Sequence, residues 1–479
     1  MPIITSVTCP VCGSLCDDIE VTVKNNVVVK VKNACAMGEA KLTNYCLHRQ
    51  TKPLIRKNGE LVETSLDEAV HKSAKILADA NYPILYGWSN TSCEAIHVGL
   101  ELAEEVGGVI DNTSTVCHGP SILSIQDIGI ASCTLGQLRH RADLIFYWGS
   151  NPWSAHPRHV DRYTAFSEGR FQESEWKGYL SRLTGTLVWK RFQRAAKLLL
   201  MREALSKAKR ESSLPYGLFQ KRRKMIVVDV RRTRSAEIAD YFIQVQLNKD
   251  YELLQALRML VRDEELDVDE VAGVPVETLE EIVDIMLKSE LGILFFGLGL
   301  TMSQGKHRNI DAALSLVRDL NQRTKFLIMP MRGHFNVTGV NVVFTWQTGY
   351  PYAINFSHGY PRYNPGETSV IDILSREESD AGLVVASDPV AHFPNAAAQN
   401  LIKNPLIVID PEPTPTSMMA DVVIPSAFVG IEVEGTAYRM DHVPLPLKKV
   451  VEPPRTCLPD AEILQKILNE VRRLRRTGK

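Results

Sequence analysis

No uninterrupted apolar stretch in this 479-residue chain approaches the roughly 18 residues that a membrane-spanning helix requires. Met1 to Pro10 contains neither a basic region nor an apolar core, which argues against a secretory signal. An excess of charge is also missing: 55 Lys and Arg stand against 56 Asp and Glu, a net of −1, so nothing global draws the chain to nucleic acid. Gly (29) and Pro (25) hold an ordinary share, which excludes collagen-like and low-complexity architectures. What remains is 44 % hydrophobic and 23 % charged, an ordinary soluble composition long enough for two or three packed cores. The expected compartment is the cytoplasm.

Nine cysteines in such a compartment point to metal binding or catalysis rather than to disulfides. Cys9, Cys12, Cys16 and Cys35 crowd the N-terminus with the spacing C-x2-C-x3-C-x18-C. Four thiolates from one small lobe can hold a structural zinc or an iron–sulfur cluster. Zinc ribbons usually present two similar C-x2-C knuckles, and only the first pair here has that spacing, so a [4Fe–4S] cubane fits more readily. Cys46, Cys93, Cys133 and Cys457 have no ligand-like spacing and read as packing residues. Taken alone, Cys117 reads the same way.

Residues 21–31, VTVKNNVVVKV, alternate around Asn25-Asn26 and predict a β-hairpin. The spacing predicts a helix over 67–81, then a short strand at 83–87. This rhythm continues through apolar strands at 142–150, 225–230, 291–299, 381–387 and 405–410, which implies an α/β fold with mainly parallel sheets covered on both faces. YWGSNPWSAHP (147–157) is echoed by VVASDPVAHFP (384–394), and VVDVRRTRSAEIAD (227–240) by VIDPEPTPTSMMAD (408–421). Two related α/β units would each place ligand-binding loops at strand ends. The interval from Asn151 to Asp229 is 78 residues against 22 from Asp388 to Asp410, so the first-occurring copy carries an insertion, placed at about 168–223. That stretch holds 14 Lys/Arg against 5 Asp/Glu, and Val188, Phe192, Ala195 and Leu199 predict an amphipathic helix within it. Such a helix can dock on an acidic partner or a membrane surface, but more often covers its own domain.

The four-cysteine lobe ahead of twin α/β units resembles the molybdopterin oxidoreductase superfamily. More narrowly, CPVCGSLCDDIEV (9–21) with NACAMGEAKL (33–42) resembles the B-subunit family of formylmethanofuran dehydrogenases, enzymes of CO2 fixation in methane-forming archaea. The resemblance implies a [4Fe–4S] lobe (1–52 with about 430–479), one pterin-binding α/β unit (53–113 with about 335–429) and a second (114–334). The superfamily's C-terminal β-barrel domain is not expected in this chain. VCHGPS (116–121) is similar to the family's metal loop, where Cys117 would ligate tungsten or molybdenum and His118 would stand beside substrate. MRGHFNVTG (331–339) resembles a formate dehydrogenase segment and makes Arg332 the substrate-anion contact. Two molybdopterin guanine dinucleotides would lie against Gly149, Asn151, Asp229, Arg231, Thr233, Gly299, Gly333, Asp388, Glu434, Gly435 and Thr436. His156 and His392, which recur in the repeat, would be cofactor neighbours, and Lys41 could bridge cluster and pterin.

Reducing CO2 to formate places two electrons and a proton on carbon, at a potential no side chain reaches, so the resemblance implies a metal–dithiolene cofactor. A Cys thiolate suits such a metal, an arginine fork matches the two oxygens of formate, and histidine can move the proton. The implied partners are an amidohydrolase-like subunit, a small β-barrel subunit capping the pterins, a β-helical one and a polyferredoxin-type one. The alternatives are the catalytic chain of a formate dehydrogenase and a cofactor-free electron-transfer scaffold.

Overall fold

A computed structural model describes residues 1–167 and 223–477. The amphipathic helix expected around Val188–Leu199 lies outside the described residues. Arg223, at the far end of the insertion, is buried and donates to the Thr164 carbonyl.

The N-terminal lobe is a three-stranded antiparallel sheet of Ile3–Val7, Ile19–Lys24 and Val27–Lys32. Asn25 (φ 50°) and Asn26 (φ 61°) both take left-handed backbone, the conformation that a two-residue hairpin turn demands. Val7, Ile19, Val21 and Val28 face inward, where Phe428, Ile431, Val450 and Val451 close the small core.

Two larger sheets carry the rest. In the five-stranded one the order is Tyr241–Gln244, Lys224–Asp229, Leu144–Trp148, Gly292–Phe296, Phe326–Pro330, and every neighbouring pair is parallel. The nine-stranded one has five parallel strands at its centre: Val109–Asn112, Pro83–Gly87, Ala381–Val385, Leu406–Ile409 and Val422–Ile424. Antiparallel pairs extend both edges, Leu54–Lys57 with Glu60–Glu63 on one side and Ile354–Asn355 with Arg362–Tyr363 on the other. The central strands are apolar on both faces because helices cover both, as a parallel sheet requires.

The internal echo of the sequence has a hydrogen-bonding counterpart. Asp229 Oδ1 accepts from Arg231 N (3.2 Å) and Asp410 Oδ1 from Glu412 N (2.9 Å). Asp240 Oδ2 accepts from Met225 N (2.7 Å) and Asp421 Oδ2 from Leu406 N (3.0 Å). Asn151 Oδ1 accepts from Ser235 Oγ, and Asp388 Oδ1 from Thr416 Oγ1. Each pair ties the same step of one sheet as its counterpart ties in the other.

One expectation is overturned. The C-terminal helix, Asp460–Thr477, is expected with the cluster lobe, yet it lies against Leu66–Asp79 and Cys93–Val106 and belongs to the core of the nine-stranded unit. Ile463, Leu464, Ile467, Leu468 and Val471 form a helical stripe that joins the core of the nine-stranded unit, whereas the inner face of the lobe sheet is closed by Phe428, Ile431, Val450 and Val451. No helix among the described residues is long and apolar enough to cross a membrane.

Candidate functional site

The central segment begins where strand Val109–Asn112 ends. Asn112 caps the turn Thr113–Val116 by accepting from Ser114 N, and the helix Gly119–Ile128 starts just beyond. Cys117 sits in the break between them, half-buried, and its carbonyl accepts from Thr301 Oγ1 at 3.1 Å. That bond ties it to the Gly-rich loop after strand Gly292–Phe296. Burial pushes the Cys117 thiol up to about 11, and the nearby Arg332 guanidinium partly offsets this.

Arg332 is buried, and among the described residues no carboxylate pairs with it: Nη1 donates to Asn341 Oδ1 at 2.6 Å, while Nε has no partner. Burial lowers its pKa to about 10, so it remains a cation at neutral pH. A buried cation with an unused donor is costly unless an anion joins it. Its backbone is held separately, with His156 Nε2 donating to the Arg332 carbonyl at 2.8 Å.

His118 is buried beside them. Its Nε2 lies 3.2 Å from the Met331 carbonyl and its Nδ1 3.2 Å from Ser121 Oγ. A carbonyl only accepts, which assigns the proton to Nε2 and makes Nδ1 an acceptor from Ser121. Burial first, and then Arg332, lower its pKa to about 3, so the ring is neutral.

The four N-terminal cysteines line one small cavity together with Leu15, Ile19 and Arg158. Burial raises the thiols of Cys9, Cys12 and Cys16, and at Cys9 the other three add to it by mutual repulsion. Gly38 leaves the space that keeps the Cys9 and Cys35 sulfurs together: a Cβ there would lie 3.0 Å from one and 3.8 Å from the other. No three His, Cys, Asp or Glu side chains among the described residues converge on a single-ion position. This loop touches the Arg332 segment directly, since Cys12 and His334 form an antiparallel bridge and Gly13 N donates to the Gly333 carbonyl at 3.1 Å.

The remaining expected positions fall into three groups. Gly149 (φ 54°), Gly297 and Gly299 cross at the C-terminal ends of adjacent strands, where a Cβ on Gly149 would lie 2.6 Å from Leu300 N. Asn151, Asp229 and Thr233 border the same end, Thr233 capping the helix Arg234–Glu237, with Arg231 exposed beside them. Asp388 holds the corresponding place in the nine-stranded unit, near a cavity lined by Val11, Lys41, Asn90, Asp410 and Phe428. Lys41 pairs with Glu412 at 3.0 Å across that cavity. Gly435 and Thr436 lie against the start of helix Cys93–Val106, with Thr436 N donating to Glu94 Oε2 at 3.0 Å, while Glu434 and Gly333 are exposed. His392 is exposed and bonds the Asp388 carbonyl, whereas His156 is buried against the Arg332 carbonyl, so the two echoed histidines differ in surroundings.

Sequence reasoning missed Asn341 and gave no role to Asn336, which lies inside the MRGHFNVTG segment. Asn341 positions Arg332 and also donates to Ser114 Oγ (3.0 Å) and the Pro351 carbonyl (2.9 Å). Asn336 donates to the Thr91 carbonyl and accepts from Tyr438 N. The available signal was an amide inside the otherwise apolar run VTGVNVVF.

No family model matches the chain. It is 46 % identical over 475 residues to the B subunit of the tungsten-containing formylmethanofuran dehydrogenase 2 of Methanocaldococcus jannaschii, covering 98 % of this chain and 99 % of that one. The chain belongs to the B-subunit family of formylmethanofuran dehydrogenases. The protein of the same description from Methanococcus maripaludis is 44 % identical over 98 % of the chain and 99 % of its own length. Within this family the chain is one component of a multisubunit oxidoreductase. The alpha subunit of the F420-dependent formate dehydrogenase 2 of Methanococcus maripaludis is only 23 % identical over 97 % of this chain and 69 % of its own, which does not favour the formate dehydrogenase alternative. A chain of the formyltransferase/hydrolase complex of Methylorubrum extorquens, crystallised with methylofuran, matches with TM-score 0.64 and 18 % identity over 89 % of this chain and all of that one. Acetylene hydratase from Pelobacter acetylenicus matches with TM-score 0.65 and 14 % identity, over 98 % of this chain and 69 % of that one. At these identities the two structures show the fold.

Proposed function

We propose that this chain reversibly reduces CO2 to formate, the first step of methanogenesis from CO2, at a tungsten or molybdenum centre bound by Cys117 and two molybdopterin guanine dinucleotides. The single observation that carries this is Arg332: a buried cation, with no carboxylate partner among the described residues, beside the one cysteine on the expected metal loop. The residues present fit the cofactors. Cys117 offers a thiol at the break between two helices, the Gly149–Gly299 crossing offers bare backbone at strand ends, and four cysteines surround one cavity. When bound, the metal–dithiolene group supplies two-electron chemistry at carbon, and a [4Fe–4S] cluster on Cys9, Cys12, Cys16 and Cys35 supplies one-electron exchange.

The chain's own residues do the rest. Arg332 binds formate through its planar fork or stabilises negative charge developing on CO2, and burial strengthens that interaction. His156 fixes the Arg332 backbone while Asn341 fixes its side chain, so the fork is pre-aimed. His118 is held neutral by burial and by the Arg332 charge, so beside the substrate it acts as a hydrogen-bonding group, its Nδ1 accepting from the Ser121 hydroxyl, rather than as a site that stores a proton. The Cys12–His334 bridge fixes the separation of the two redox positions through backbone pairing.

The proposed setting is a cytoplasmic complex with an amidohydrolase-like subunit, a small β-barrel subunit capping the pterins, a β-helical one and a polyferredoxin-type one. Membership in a family whose relatives are named as lettered components of one enzyme supports the multisubunit setting. The test is the Cys117→Ala complex: formate-linked viologen reduction is lost while the iron–sulfur spectrum persists. Full activity in that variant refutes the assignment.

A further inference from the structure

The helix Pro157–Arg162 runs from the active-site side to the cluster lobe, and it presents two arginines to the thiol loop. Arg158 lines the four-cysteine cavity, and both Nη atoms are seated on Asp18, at 2.6 and 2.7 Å. Arg162 Nη2 bonds Asp17, and its Nη1, 3.2 Å from Asp18, is buried without a hydrogen-bond partner among the described residues. Asp17 and Asp18 immediately follow Cys16. Two guanidiniums are thus anchored on the two carboxylates that follow Cys16 in the chain.

We infer that Arg158 and Arg162 are positioning residues that set the reduction potential of the N-terminal cluster, by holding positive charge and N–H donors against the Cys16 corner. The inference rests on the reading above that these cysteines hold a [4Fe–4S] cluster, and deepens it. Arg158 lines the same cavity as Cys16, and Arg162, one helical turn further on, is anchored to Asp17, the residue next to Cys16. A one-electron reduction adds one negative charge to the cluster, with no bond made or broken. Nearby cations stabilise the reduced state more than the oxidised one, and nearby anions do the reverse. The aspartates serve as clamps: Asp18 holds the Arg158 fork bidentately and Asp17 holds one Nη of Arg162, at the cost of part of their charge. Arg158 and Arg162 are only partly exposed, so solvent does not cancel them.

The test is an EPR-monitored redox titration of the full-length chain loaded with iron and sulfide. Arg158→Gln and, separately, Arg162→Gln shift the midpoint to more negative potential. A tenfold fall in the reduced-to-oxidised ratio at fixed potential corresponds to about 59 mV. Arg158→Lys, which keeps the charge and loses the fork, falls between Arg158→Gln and wild type. Asp18→Asn keeps both cations and removes an anion, so its midpoint moves the opposite way. A merely structural role gives no such opposition of sign. Wild-type midpoints in both arginine variants, each with its cluster intact, overturn the inference and leave the cluster reading standing. A wild-type chain that binds no cluster overturns both.

Discussion

Cys12 and His334 pair as an isolated antiparallel bridge, so a residue of the four-thiol loop and the second residue after Arg332 share one stretch of backbone. Gly13 makes this approach possible. A Cβ at that position would collide with the Arg332 carbonyl oxygen, which also accepts the hydrogen bond from His156.

Gly13→Ala is therefore expected to push the thiol loop away from the Arg332 segment. The clash is with backbone that cannot rotate aside, so the cost is that of overpacking, about 1–3 kcal/mol. Thermal unfolding of the full chain reads the stability loss, and formate oxidation falls with it. An unchanged melting temperature contradicts the close approach.

Asn341 separates orientation from charge at Arg332. Asn341→Ala leaves the buried guanidinium without its acceptor and costs about 1.5–3 kcal/mol, the range for a hydrogen bond to a charged group. Asn341→Asp keeps an acceptor in place but pairs the cation internally. Stability is retained in that variant while the KM for formate rises by at least about tenfold, the effect of some 1.4 kcal/mol. Equal losses in both variants would mean that the charge of Arg332 is irrelevant to substrate.

Much of the architecture was legible because its signals are periodic. The turn at Asn25-Asn26 announces itself by two residues that tolerate left-handed backbone, and the short apolar strands by their lack of a polar face. The paired aspartates 11 residues apart, Asp229 with Asp240 and Asp410 with Asp421, were visible as an echo, and the structure shows each holding backbone at the end of a strand. Less was legible where tertiary packing decides. The stripe on Asp460–Thr477 says that the helix is buried on one face but not against which neighbour. Nothing in the sequence around Arg158 and Arg162 says that they reach Asp17 and Asp18, about 140 residues earlier. Resemblance supplied the metal loop and Arg332; the geometry adds Asn341 and the two anchors on His118.

Acid should loosen the site before it reaches the carboxylates. Burial lowers the pKa of His156, whose neutral ring donates to the Arg332 carbonyl. Its folded pKa is below the unfolded value near 6.5, so below that pH the unfolded chain takes up a proton that the folded chain refuses. Stability is present above about pH 6.5 and is lost as pH falls, by at most about 1.4 kcal/mol per pH unit for this group. Denaturant titrations of the full chain between pH 7 and 5 should show a shallower dependence in His156→Gln than in wild type. An identical slope would place the wild-type ring in a protonated state.

The most direct test of the account is X-ray absorption at the tungsten or molybdenum edge of the purified assembly, compared between wild type and Cys117→Ala. The metal of the variant is expected to have one sulfur neighbour fewer than the wild-type metal. The same sulfur count in both would show that Cys117 does not bind it.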